Sequence, residues 1–186
     1  MAGKTTWTID GAHSAAEFAV RHLMISTVKG HFSKVSGTVL TDEAHPDRPV
    51  VDITIDAASI DTREPKRDAH LRSADFLEVE KFPTITFKAK TVKGSTDGEF
   101  TLPGDLTIRG VTRPVVLKVE SSGRVNDPWG GERAGFAATT KINRKDFGLT
   151  WNVALEAGGV MVSDEVKISI EVELVKQVEA EVPAAV

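Results

Sequence analysis

SIDTREPKRDAHLRSADFLEVEKFPTITFKA, residues 59–89, is the one stretch of this 186-residue chain that does not read as plain β-sheet. Just before it, Val51, Ile53 and Ile55 alternate with Asp52, Thr54 and Asp56, the period of a half-buried strand, and the period breaks at Ile60 and Asp61. Within the stretch, Ala69, His70, Leu71, Phe76 and Leu77 cluster near helical spacing, while Arg63, Lys66, Arg67, Asp68 and Arg72 supply a polar side. That predicts one or two short helices near residues 62–80. Alternation resumes after Pro83, with Ile85, Phe87 and Ala89 on one face and Thr84, Thr86 and Lys88 on the other. A helical insert between two strands of an all-β domain is expected to lie across an open end of the sheet, as a lid over a cavity.

Outward from this insert the chain alternates almost throughout. Towards the N-terminus, residues 6–9 form a short strand ended by Asp10 and Gly11, and Ala16, Phe18, Val20 and His22 share a face. Val28 to Val39 continues the pattern, with Gly30 and Gly37 as expected bends, and TDEAHPDRP (41–49) is a hairpin loop into the strand at 50–56. Towards the C-terminus, strands are expected around 84–92, 99–108 (interrupted at Pro103 and Gly104), 115–120 and 135–143, the last with Phe136, Ala138, Thr140 and Ile142 on one face. An irregular segment, RKDFGLTWN (144–152), follows. Val166, Ile168, Ile170, Val172 and Leu174 then give the cleanest period of two, a long strand suited to close a barrel against the first. About eight antiparallel strands predict a closed barrel, because an open sheet of this size leaves its edges unpaired. The interior of such a barrel is just wide enough for side chains or one slender ligand. The expected organisation is one domain over residues 1–175 and a flexible tail over 176–186.

Composition narrows the function. A net charge of -4 with no Lys/Arg-rich run argues against nucleic acid, and the absence of cysteine excludes disulfides, thiolate nucleophiles and cysteine-ligated metals. MAGKTTWTIDGAHS lacks the apolar core of a signal peptide, and no run approaches a membrane span. The chain therefore reads as cytoplasmic, or periplasmic if a leader has been removed, with no stable membrane insertion. The five histidines, His13, His22, His31, His45 and His70, form no compact ligand motif. A spatial cluster of His13, His22 and His70 is the basis of one alternative, a metal-assisted enzyme acting on a hydrophobic substrate. Asp10, Asp61, Asp68 and Asp146 read as turn or cap residues, Ser14 has no nucleophile elbow, and Gly130 and Gly131 make no phosphate cradle. No catalytic residue, metal or cofactor is expected. A stress-response interaction protein with a filled barrel is the other alternative.

Five blocks, in order, carry a resemblance: WTIDGAHSAAEFAVRHL (7–23), VKGHFSKVSGTV (28–39), residues 59–87, LPGDLTIRGVTRPVVLKV (102–119) and GFAATTKINRKDFG (135–148). Together they resemble the YceI-like family of lipocalin-like, lipid or polyisoprenoid-binding proteins. The resemblance implies an antiparallel barrel with a hydrophobic channel for an isoprenoid tail such as that of a quinone, binding rather than catalysis, transport or sequestration, and a homodimer. It implies Phe18, Val20, His22, Phe32, Leu71, Phe76, Ile85, Phe87, Phe136 and Ile142 as channel lining. Arg67, His70 and Arg144 are the expected contacts of a polar head group.

Overall fold

Each run of alternating residues forms a strand in a computed structural model of the chain, which describes residues 3–178. In order these are β1 (Lys4–Ile9), β2 (Ala15–His22), β3 (Ser26–Phe32), β4 (Val35–Asp42), β5 (Val50–Asp56), β6 (Ile60–Asp61), β7 (Thr84–Ala89), β8 (Lys93–Gly94), β9 (Glu99–Ile108), β10 (Val111–Asn126), β11 (Glu132–Asn143) and β12 (Val162–Lys176). All pair antiparallel in one sheet. β1 with β2, and β3 with β4, are two long strands each broken by a bend, because β1 pairs with β4 while β2 pairs with β3. Counted that way, eight staves make a closed antiparallel barrel, sealed where Trp7, Thr8 and Ile9 of β1 meet Lys176, Val175 and Leu174 of β12. The rest of β12 pairs with β2, so one long last strand serves both halves of the bent first stave.

Pro103 and Gly104 do not interrupt β9. Gly104 lies in register with Ala89 and Val115, and a Cβ there would sit 2.4 Å from Cζ of Phe87. The glycine is present so that a large ring can cross the strand. Gly30 serves Phe18 in the same way, at 2.5 Å.

The insert departs from β5 through a 3-10 turn (Ala57–Ser59) and β6, forms one helix, α1 (Pro65–Arg72), and returns through turns to β7. Phe76 and Leu77 lie past the helix and not on it. α1 itself is polar, and hydrogen bonds anchor it. Glu64 caps it by accepting from the backbone N–H groups of Lys66 and Arg67, with Pro65 at the first position. Buried Asp68 accepts from the Thr62 N–H at 2.9 Å and hydroxyl at 2.6 Å, and Arg72 donates to the carbonyls of Ala58 and Ile60. This polar docking leaves the apolar side chains Leu71, Phe76 and Leu77 to face the barrel.

β12 runs through Lys176, and the Gln177 N–H donates to the Thr6 carbonyl at 2.8 Å. The remainder of the expected tail, from residue 179, lies outside the described residues.

Candidate functional site

The inward-facing side chains fill the two ends of the barrel unequally. At the β1 end, Trp7, Ala134 and Leu174 form a buried cluster, with Phe136 packed on it and Phe100 edge-on to Phe136 at 6.2 Å. Towards α1 the side chains stop short of one another. They leave a cavity of about 200 Å³ whose wall is almost wholly carbon.

Eight of the ten positions expected to line a channel are on this wall: Phe18, Val20, Phe32, Leu71, Phe76, Ile85, Phe87 and Ile142. Strands far apart in sequence bring them together, with Leu71 and Phe76 closing over them from the insert. His22 shares the inward face of β2, but the strand runs past the cavity and places it one step beyond the wall. Phe136 points inward at the filled end, where Phe100 and the Trp7 cluster occupy the space. The wall also takes Val166, Ile168, Ile170 and Val172 from β12, all on the regular alternation of that strand. Phe147, 1% exposed, comes from the 3-10 turn Arg144–Phe147, where no period marks it.

The three polar candidates have separate positions. Arg144 is on the wall, but its N–H groups are engaged: Nε donates to the Ser163 carbonyl at 2.9 Å, Nη1 to Leu149 and Trp151 at 2.7 and 2.8 Å, and Nη2 to Val162 at 3.3 Å. Burial pushes its pKa below the usual arginine value, opposed by Asp164. Arg144 is therefore a clamp holding the segment after β11 to β12. Arg67, off the wall, donates to the Thr62 hydroxyl at 2.7 Å and carbonyl at 2.9 Å. His70 is also off the wall, but it sits against it: its ring meets Phe76 edge-on at 5.1 Å and Trp151 at 4.7 Å, and its Nε2 is 2.8 Å from Asp75. Phe76 and Trp151 are themselves 5.3 Å apart, so three rings join the insert to the segment following β11.

His13, His22 and His70 do not form a metal site among the described residues. His13 and His22 lie at opposite ends of β2, whose eight residues alone span roughly 23 Å at the rise of a strand. His13 instead joins Asp10 and Glu173, and the Arg133 guanidinium already serves that group. Its Nη1 is 2.9 Å from Asp10 and also pairs with Glu173, while Nε is 3.0 Å from Asp127. Hydrogen bonds from His13 and Arg133 hold the Asp10 carboxyl well below the usual carboxylate range, and Asp10 raises the His13 pKa. This is a clasp across the bend of the first stave and the β10–β11 loop, with a protein cation at its centre.

Fold and cavity together define a closed antiparallel barrel with an apolar chamber under a helical insert. The chain belongs to the YceI-like family, whose YceI-like domain model matches residues 7–174. It is 43% identical over 168 residues to Protein YceI of Salmonella newport, covering 90% of this chain and 84% of that one. Among solved structures it is similar to a YCEI protein of Campylobacter jejuni, at 34% identity and TM-score 0.72, covering 85% of this chain and 90% of that chain. A polyisoprenoid binding domain from Saccharophagus degradans, implicated in plant cell wall breakdown, shares the fold at TM-score 0.67 and 15% identity, covering 90% and 97% of the two chains.

Proposed function

We propose that the chamber receives the apolar tail of a long-chain isoprenoid or similar amphiphilic lipid, such as a polyprenyl chain or isoprenoid quinone. The protein would carry or sequester this guest without changing it chemically. The observation that carries this reading is a carbon-lined cavity inside the sheet, where the barrel forgoes its own packing. The solved polyisoprenoid binding domain with this fold supports it. Each buried CH₂ of a guest contributes about 0.8 kcal/mol, less the cost of ordering a flexible tail. At about 200 Å³ the chamber is below the ~300–1,000 Å³ of ordinary ligand sites, so a long tail must displace Leu71 and Phe76 as it enters. Of the three polar candidates, His70 is the one we place beside a head group. We extend the proposal to a homodimer, tested by light scattering, and to cytoplasmic residence, tested by fractionation; among the described residues no helix is long and apolar enough to cross a membrane.

Solvent extraction of purified protein followed by mass spectrometry, together with binding of polyprenyl probes, tests the reading. Ile85→Trp fills the chamber from β7 and should weaken probe binding about tenfold or more, with the fold retained. No lipid in the extract and no probe binding by the native protein would overturn it.

A further inference from the structure

The β2–β3 hairpin ends in an unusual turn. The Ile25 N–H donates to the His22 carbonyl at 3.2 Å, and Leu23 and Met24 between them have φ of 50° and 62°. Positive φ at both central positions is the type I′ turn, which favours Asn-Gly because larger side chains are strained there. Here it holds leucine and methionine, and the apolar side chains face water: Met24 is 55% and Ile25 79% exposed. The tip stands at the chamber end of the barrel. Val20 and Val162 belong to the chamber wall, Val162 pairs with His22, and the Leu23 N–H donates to Met161 at 2.8 Å.

Behind the tip, the outer face of the same hairpin continues into a groove of about 850 Å³ on the barrel exterior. Lys29, Arg63, Lys118, Lys141 and Lys167 line it, against two carboxylates, in a chain whose overall charge is -4. Lys141 stands directly opposite Lys167 across β11–β12, and Lys167 and Lys29 flank Ala19 on the two sides of β2. Like charges in register destabilise a sheet. Among the described residues Lys141 is the one of these five cations with an ion-pair partner, Glu165 at 3.5 Å.

We infer that this face docks reversibly on an anionic lipid bilayer, with Met24 and Ile25 entering the interface and the lysines of the groove meeting lipid phosphates. Either signal alone gives marginal attachment; an apolar wedge with a basic patch gives useful, salt-sensitive binding. Docking there sets the chamber end against the membrane, where an amphiphilic guest resides, and in that respect the inference rests on the proposed function.

Sedimentation with vesicles of phosphatidylcholine, or of an equimolar mixture with phosphatidylglycerol, free of any isoprenoid, is the test. The native protein should bind the anionic vesicles, less tightly as salt rises. Met24→Ser with Ile25→Ser, and separately Lys29→Glu with Lys167→Glu, should each weaken binding about tenfold. Leu23→Asn with Met24→Gly supplies a turn free of strain, and should keep or raise the melting temperature while weakening vesicle binding to a similar extent. Absence of binding by the native protein overturns the inference. So does a tip variant that binds as the native protein does, since a bare basic groove would suit an acidic protein equally well. Vesicle binding by a protein that retains no polyprenyl probe leaves docking intact and sinks the guest reading; the reverse result sinks docking alone.

Discussion

The two ends of this barrel are made from the same strands and finished in opposite ways. At the β1 end, Trp7 is 3% exposed, packs on Ala134 and Leu174, donates from its indole to the Thr41 hydroxyl at 3.3 Å and carries the Arg124 guanidinium over its ring. The Arg133 clasp lies beside it. At the other end a polar helix is tied down by hydrogen bonds, and beneath it the side chains enclose space instead of filling it. Strand alternation decides which residues point inward, and the volume of those residues at each level decides whether the inside is solid or hollow.

The largest effect expected from this contrast is at the solid end. Trp7→Ala should destabilise the protein by about 3–5 kcal/mol in denaturant melts, through a cavity that cannot collapse. A loss under about 1 kcal/mol would mean that the two ends are packed alike. Gly104→Ala tests the middle, where the added methyl meets the Phe87 ring and the Lys88 carbonyl. A cost of about 1–3 kcal/mol is expected by the same measurement. At the hollow end, Trp151→Ala removes two ring contacts, each worth about 0.5–1.5 kcal/mol, and should accelerate uptake and release of a polyprenyl probe in stopped flow. Unchanged exchange rates would exclude the three-ring cluster from the route.

The smallest effect is in the pH dependence of the clasp. The Asp10 carboxyl is depressed in the folded state, so its contribution is present above the ordinary aspartate pKa near 3.9 and is lost as pH falls below it. His13 is raised by Asp10, so its contribution is present below the ordinary histidine pKa near 6.5 and is lost as pH rises through the folded value. Melting temperatures should fall on both sides of that window. His13→Asn should remove the alkaline step and shrink the acid one, since the His13 hydrogen bond is the largest cause of the Asp10 depression, leaving the part that Arg133 and the Ala12 N–H maintain.

Much of the chamber wall was legible in the sequence because it comes from strands with a clean period. Phe18 and Val20 on β2, or Ile85 and Phe87 on β7, are inward on any barrel with these strands. His22 and Phe136 obey the same period and miss the chamber, one lying beyond its end and the other in the plugged level. Arg144, expected from the sequence as a contact of a polar head group, is buried with its N–H groups already engaged, since four backbone carbonyls from Leu149 to Ser163 converge on it. Asp10 reads correctly as a turn residue, for it accepts from the Ala12 N–H at 3.0 Å, but nothing nearby in sequence announces its partner 123 residues away.

By itself, then, the sequence determined the strands, their inward faces, the position of the helical insert and, through its blocks, the family. These are local properties, written in a period of two and in the residues that break it. Only the tertiary structure decided where the inward side chains run short of one another, which cations are committed to the protein's own carbonyls and carboxylates, and which end of the barrel stays hollow. Those outcomes depend on the summed volumes and charges of residues that meet across the barrel, and no stretch of chain contains both sides of such a contact.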